Sequence, residues 1–511
     1  MKKLLQQHLA DLSRERLAGM GRGIEKEGLR ALPNGALALT PHPQGLGSAL
    51  THPHITTDYS ESQLELITGV HGSVQSCLDE LGEVHQFVHR ILTSQCDEET
   101  LWVSSMPCIL PTDETIPLGR YGLSNSGRSK SVYRMGLGHR YGRRMQTISG
   151  IHYNWSLPGV TSEEYFGLIR NFRRHAFILL YLFGASPALC PSFVEGRQHA
   201  LQPLGDGKHA LYLPHATSLR MGRLGYQSDA QATLRVSYNG LQGYANSLHE
   251  ALTQPYPAYE QIGVRNPGGE YNQLGTSLLQ IENEFYGTIR PKRTTGRGER
   301  PLHALRERGV EYVEVRLMDL NPLESVGIDA DTMRVLDVFL LHCLFSESPP
   351  DTPEEIAELK NNQHLAAERG REPGLELARA GTKVPLVAWG KQVLQECLPI
   401  AETLDQADGS NVHVQALRKS LALFDAPEDT PSAQVLRELI EQYDNDFIAY
   451  TLAHSQAARD DLMARAWTDA QQQRYVDASA ASVAAQRALE AEDDMPFEAW
   501  RERYMAVEQL G

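Results

Sequence analysis

Gly23-Ile24-Glu25-Lys26-Glu27-Gly28-Leu29-Arg30 is the stretch on which the fold and the chemistry turn. In an extended chain side chains alternate between faces, so Glu25 and Glu27 point one way and Ile24 the other. Two neighbouring carboxylates repel, and burial raises that cost, so such a pair stays ionised only beside a cation. A lone Glu-x-Glu is more often a solvated strand face. Repetition decides against that here, because three later strands carry polar residues at the same two-residue spacing.

The first of these is Gln63-Leu64-Glu65-Leu66, where Glu65 faces away from the leucines, with Asp58 just ahead in a turn that can fold it over the same face. The second is Ile151-His152-Tyr153-Asn154-Trp155-Ser156, within an expected strand over 146–157; His152, Asn154 and Ser156 share a face. The third is Tyr312-Val313-Glu314-Val315-Arg316-Leu317, which turns Glu314 and Arg316 one way and the apolar residues the other. Residues 278–286 also read as a strand, running into the basic Arg290-Pro291-Lys292-Arg293, which fits either phosphate binding or a solvated loop. Together, one sheet face offers Glu25, Glu27, Asp58, Glu65, His152, Glu314 and Arg316. Two or three hard divalent cations would neutralise its five carboxylates; oxygen donors at that density suit Mg2+ or Mn2+, with open positions left for nucleotide phosphates.

Between these strands the apolar spacing of Leu78, Leu81, Val84, Val88 and Ile91 predicts a helix covering the sheet. Residues 104–144 lack periodicity and read as a binding loop. Helices are expected over 163–182, ended by Gly184 and Pro187, over 241–252, and over 333–345. Thr352-Pro353-Glu354-Glu355 starts another with a capping residue and a first-turn proline. After a break at 425–431, residues 456–490 are rich in good helix formers. The expected organisation is therefore a catalytic sheet region, 1–325, and a mainly helical lobe, 326–511, packed on it as one unit.

Composition narrows the function. The chain has 511 residues, 41% hydrophobic and 22% charged, an ordinary globular balance, and its net charge of −16 argues against nucleic-acid binding through a basic surface. Six dispersed cysteines with no C-x-x-C read as reduced packing residues of a cytoplasmic protein, not a disulfide framework or a zinc motif. Residues 1–17 read as an amphipathic helix, not a signal peptide, and the apolar run at 177–183 is too short to span a bilayer. There is no G-x-x-x-x-G-K-[ST] loop and no kinase motif set. Arg22, among glycines but with no helix after it, is a weak phosphate signal.

The segments 23–30, Ile55-Thr56-Thr57-Asp58, 145–154, Ile281-Glu282-Asn283-Glu284, 289–293 and Glu314-Val315-Arg316 resemble glutamate–cysteine ligase of the gamma-proteobacterial type. That resemblance covers nearly the whole chain, most specifically up to about residue 325. It implies an α+β, glutamine-synthetase-like fold, an antiparallel sheet cupping the active site, with ATP and Mg2+. By motif, Glu25, Glu27, Asp58, Glu65, His152 and Glu314 resemble metal ligands. Arg220 and Arg316 match arginines that bind phosphate and the reacting carboxylate. Tyr133, Leu137, Tyr226, Tyr286 and Tyr59 match positions around a cysteine pocket. The resemblance further implies L-glutamate and L-cysteine as substrates, a monomer, glutathione as a candidate feedback inhibitor, and no nucleic-acid or membrane partner. Cysteines that some members carry in the last third are missing here, so disulfide control is not expected. Three rivals remain at this point: a ligase of the same fold with another amine acceptor, a metal-dependent phosphohydrolase, and a non-catalytic helical scaffold suggested by the C-terminal lobe alone.

Overall fold

The Glu25/Glu27 stretch lies in β1 (Gly21–Ala31) of a seven-stranded antiparallel sheet in a computed structural model, which describes residues 12–96, 99–225, 229–232 and 234–511. The other strands are β2 (Ile55–Thr57), β3 (Gln63–Ile67), β4 (Thr100–Leu101), β5 (Ile151–Ser156), β6 (Ile289–Lys292) and β7 (Tyr312–Met318). Their order is β2-β3-β1-β5-β7-β6, with the short β4 paired to the end of β1. Pro291 lies in β6, an edge strand, where a missing amide proton costs no ladder bond.

One face of the sheet carries the expected apolar set. Ile24, Leu64, Tyr153, Trp155, Val313, Val315 and Leu317 are all buried in one continuous core. Against them pack α1 (Val74–Gln95), α3 (Ser162–Phe183) and α4 (Ala330–Phe345). Local signals set these helices: Ser73 caps α1, and Thr161 with Glu164 forms a reciprocal capping box on α3. Truncating any one of these core valines or leucines to alanine would cost about 2–5 kcal/mol. Arg22 points into this core and pairs with Asp337 at 2.7 Å, while the Tyr153 hydroxyl donates to the same carboxylate at 2.8 Å. It is therefore a structural cation and not a phosphate ligand.

Three expectations need correction. Residues 104–144 are not wholly irregular, because α2 (Asn125–Tyr141) forms there, capped by Ser124. Its apolar periodicity is absent because one flank faces a polar cavity and the other packs closely through glycines. A Cβ at Gly127 would stand 2.1 Å from the Tyr121 carbonyl oxygen, and one at Gly136 2.3 Å from Gln280 Oε1. Residues 278–286 are not a strand but a looped segment with one short 3-10 turn, Glu282–Glu284. Side chains take over the ladder's role there: Gln280 Oε1 accepts from Leu274 N, Glu282 binds Arg300 and Leu302 N, and Glu284 binds Arg140, Tyr141 and Gln280 N. The expected strand over 146–157 begins only at Ile151, after a 3-10 turn, Met145–Thr147.

A helix forms at Leu241–Thr253, close to the expected span, and α5 (Pro353–Arg369) starts at the Thr352 cap. After α6 (Leu386–Asp408), helices α7 (Phe447–Ala464), α8 (Asp469–Glu492) and α9 (Phe497–Met505) return to the sheet region. Tyr475 stacks on Phe87 at 5.2 Å, Phe447 meets Trp102 edge-on at 6.2 Å, and Gln86 Nε2 donates to the Leu462 carbonyl at 2.8 Å. Most of the expected amphipathic helix at 1–17 lies outside the described residues; a short helix, Arg14–Ala18, is present. Among the described residues no helix is long and apolar enough to cross a membrane.

Candidate active site

Strand register builds the site. Directly opposed residues of antiparallel strands share a face. Glu27 opposes Glu65, Glu25 opposes His152, Asn154 opposes Glu314, and Glu314 opposes Arg290. Five strands thus lay their polar residues in one row on the face away from the helical core.

The row has two halves that meet at His152. In one, ligand atoms of Glu25, His152 and Glu314 lie within 4.8 Å of one another; in the other, so do those of Glu27, Glu65 and His152. His152 Nδ1 lies 3.0 Å from Glu25 Oε2 and 3.6 Å from Glu314 Oε1, and its Nε2 lies 3.5 Å from Glu27 Oε1. Asn154 Nδ2 donates to Glu25 Oε1 at 2.9 Å. Gly150 N donates to Glu27 Oε2 at 2.6 Å. No side chain fits at Gly150, since a Cβ would sit 2.0 Å from Arg220 Nη2.

Cations are distributed unevenly. Lys292 Nζ and Arg316 Nη1 stand 3.4 and 3.2 Å from Glu314 Oε1. Burial alone would raise the Glu314 carboxyl, but Lys292, Arg316 and His152 hold it well below the usual range. Glu25 is likewise held low, its burial outweighed chiefly by the bond to His152. In the other half burial dominates: Glu27 is pushed up to about 8 by desolvation and by Asp58. Glu65 is pushed well above its ordinary value by burial and by Glu25, Asp58 and Glu27. His152 is lowered by burial and by Arg316, which keeps the imidazole neutral and able to ligate. Glu314 Oε2 is buried without a hydrogen-bond partner, an acceptor with a coordination position to spare.

The row floors a cavity of about 550 Å³. Glu25, Glu27, Asp58, Tyr59, Glu65, Tyr133, Leu137, His152, Arg220, Tyr286, Glu314 and Arg316 all line it. Tyr226 lies outside the described residues. Asp58 lines the cavity at the β2–β3 turn but belongs to neither three-residue set. Arg220 is buried beneath the floor, where its Nη2 donates to the Arg316 carbonyl at 2.8 Å and so fixes that strand. The Tyr286 hydroxyl accepts from Gln146 Nε2 at 2.8 Å.

Other lining residues carried no site signal in the sequence. Lys130 and Arg134 come from α2, Trp500 and Tyr504 from α9. Arg134 Nε donates to the Asp58 carbonyl, and Arg128 of α2 sits 4.5 Å from the Phe497 ring of α9. The basic run divides: Arg290 and Lys292 face the cavity, while Arg293 pairs with Glu311 outside it. With its acidic floor, Lys130, Arg134, Arg290, Lys292 and Arg316 around it, and two aromatic rings at one side, the cavity can hold divalent cations against a polyanion with a planar base.

The sequence profile of the family described as glutamate-cysteine ligase matches residues 5–366. A glutamate–cysteine ligase of Alcanivorax borkumensis is 46% identical over 510 residues, covering 96% of each chain. That of Bordetella petrii is 47% identical, covering 96% of this chain and 95% of its own. The crystal structure of glutamate–cysteine ligase from Francisella tularensis in complex with AMP superposes with a TM-score of 0.89 at 35% identity, over 95% of this chain and 97% of that one. A bifunctional glutathione synthetase from Pasteurella multocida shares the fold, with a TM-score of 0.70 at 24% identity over 99% of this chain and 58% of its own. The register, the paired acidic sets and these matches agree, and the chain belongs to the glutamate–cysteine ligase family.

Proposed function

We propose that the chain joins the γ-carboxylate of L-glutamate to the amine of L-cysteine, with ATP cleaved to ADP and phosphate, as the first step of glutathione biosynthesis. The observation that carries this reading is the cavity floor, where two acidic sets share one neutral histidine and face a wall of arginines and lysines. Glu25, His152 and Glu314 would hold one Mg2+ or Mn2+, and Glu27, Glu65 and His152 another, with Asp58 at the edge; the hard oxygen donors and the unbonded Glu314 Oε2 fit such ions. Bound there, the cations neutralise phosphate charge during phosphoryl transfer.

The remaining work belongs to side chains. A carboxylate is a poor electrophile, so a γ-carboxylate oxygen of glutamate first attacks the γ-phosphorus of ATP and expels ADP. The cysteine amine then attacks the acyl carbon, the carbon–oxygen bond breaks, phosphate leaves and the amine loses a proton. Arg316 presents a planar fork that spans a carboxylate or phosphate, and Arg220 holds its strand in place. Tyr133, Leu137, Tyr286 and Tyr59 shape the amine side, joined by Tyr226 through the family resemblance. Trp500 and Tyr504 offer faces to the base. The protein supplies positioning and electrostatics, not a covalent nucleophile.

We further read the enzyme as a cytoplasmic monomer with residues 1–325 and 326–511 forming one unit, and glutathione as its feedback inhibitor. In support of the single unit, the apolar core runs from Leu12 to Leu510. ADP release with glutamate, measured with and without cysteine, tests the activity: strong cysteine dependence is expected. Equal ATP turnover without any amine would favour a phosphohydrolase, and equal turnover with other amines a broader ligase.

A further inference from the structure

Behind the sheet, away from the cavity, one more cluster of donors converges. His175 of α3 and His342 and Cys343 of α4 each bring a ligand atom within 4.8 Å of the other two. His342 is 1% exposed, yet its Nδ1 makes no hydrogen bond, while Nε2 stands 3.4 Å from Glu396 Oε2 of α6. The buried Nδ1 of His175 also lacks a hydrogen-bond partner, and the Cys343 thiol is free. Buried imidazole nitrogens rarely go unpaired, because each loses its water without compensation. Spacing conceals the cluster: no C-x-x-C or H-x-x-x-H marks it, since His175 lies on a different helix, far in sequence from the adjacent His342 and Cys343.

We propose that His175, His342 and Cys343 form a binding site for a soft or borderline divalent ion of the zinc class, with the Glu396 carboxylate orienting the His342 ring. Two nitrogens and a sulfur discriminate against the hard cations that suit the oxygen-rich cavity. Bonds of about 2.0–2.3 Å in a tetrahedron set donors roughly 3.5 Å apart, so closing the site needs shifts of about 1 Å. A carboxylate behind a ligating histidine fixes its tautomer and raises its basicity. On binding, both imidazoles enter neutral, and the thiol gives its proton to solvent as the metal–sulfur bond forms. Half-buried His175 and the partly exposed Glu396 side chain give the ion a way in. The ion would then pin α3 to α4, the two helices that back the strands of the cavity floor.

The test uses the full-length protein, stripped by chelation and held in excess Mg2+ so that the oxygen-rich cavity is occupied, then titrated with Co2+. One equivalent should bind with a thiolate-to-cobalt charge-transfer band, which only a cysteine ligand produces, and Zn2+ should abolish it. Cys343→Ser should lose the band. His175→Gln, at a half-buried position, should keep the fold by circular dichroism and weaken Co2+ binding at least tenfold. The proposal is overturned by a wild-type titration without the band, by a band that survives Cys343→Ser, or by unchanged affinity in His175→Gln. If Cys343→Ser does not fold, the wild-type band and the His175→Gln affinity decide.

Discussion

The two halves of the acidic row hold the same kind of residue and are built in opposite ways. Around Glu25 and Glu314 the fold supplies its own cations and donors, Lys292, Arg316 and Asn154, so those carboxylates are ionised before any metal arrives. Around Glu27 and Glu65 it supplies burial and more acid, so those groups hold protons until something replaces them. One half is a preformed anion and the other a site whose charge appears on demand. Metal binding in the second half should therefore release protons, and in the first half should not.

The largest expected effect is on chemistry and does not distinguish the halves. Glu314→Gln and Glu27→Gln should each lower turnover by about a thousandfold, a loss of about 4 kcal/mol of transition-state stabilisation. Near-normal turnover at saturating Mg2+ in either variant would remove that residue from the site. Arg316→Lys keeps the charge and loses the fork, so a fall in kcat of about a hundredfold, exceeding any loss of ATP affinity, is expected. Recovery of most of the rate with lysine would reduce Arg316 to a general counter-charge.

Stability separates the halves. A carboxyl raised in the folded state binds its proton more tightly there than in the unfolded chain. The stability it contributes is complete below the ordinary value near 4.5 and is lost as pH rises through about 8. Metal-free protein should accordingly show a falling Tm between about pH 5 and pH 8, and either Mg2+ or Glu27→Gln should flatten the fall. For the lowered Glu314 the sign reverses: its contribution is present above about 4.5 and lost at lower pH, so Glu314→Gln should lower Tm at neutral pH by stranding Lys292 and Arg316. A metal-free Tm that is flat across that range, or a stabilised Glu314→Gln, would erase the contrast.

The smallest effect concerns the amine side. Tyr286→Phe removes the acceptor of the Gln146 bond, worth about 0.5–1.5 kcal/mol. The KM for cysteine should rise a few-fold while that for ATP holds; equal effects would place Tyr286 in the scaffold.

What the sequence made legible follows from the strand period. Glu-x-Glu, His-x-Asn and Glu-x-Arg each alternate against apolar neighbours, and alternation places them on one face whatever the loops do. Residues 278–286 alternate as well, yet the buried polar side chains of Gln280, Glu282 and Glu284 bond to backbone and to arginines, and no ladder forms. Lys130 and Arg134 stayed hidden because α2 has no apolar stripe to reveal a helix. Trp500 and Tyr504 stayed hidden because nothing local ties a C-terminal helix to a sheet nearly two hundred residues earlier. Periodicity reports faces within one element; it does not report which distant element closes a cavity.

The most direct test of the account follows an oxygen atom. If ATP activates the γ-carboxylate of glutamate on this floor, one carboxylate oxygen becomes the bridge to phosphorus and leaves with it when the amine displaces phosphate. Glutamate labelled with heavy oxygen at its γ-carboxylate, turned over with ATP and cysteine, should give inorganic phosphate carrying one label per amide bond formed. Phosphate that carries no label during cysteine-dependent turnover would contradict the acyl-phosphate route, even if Glu25, Glu27, Glu65, His152 and Glu314 prove to bind divalent cations.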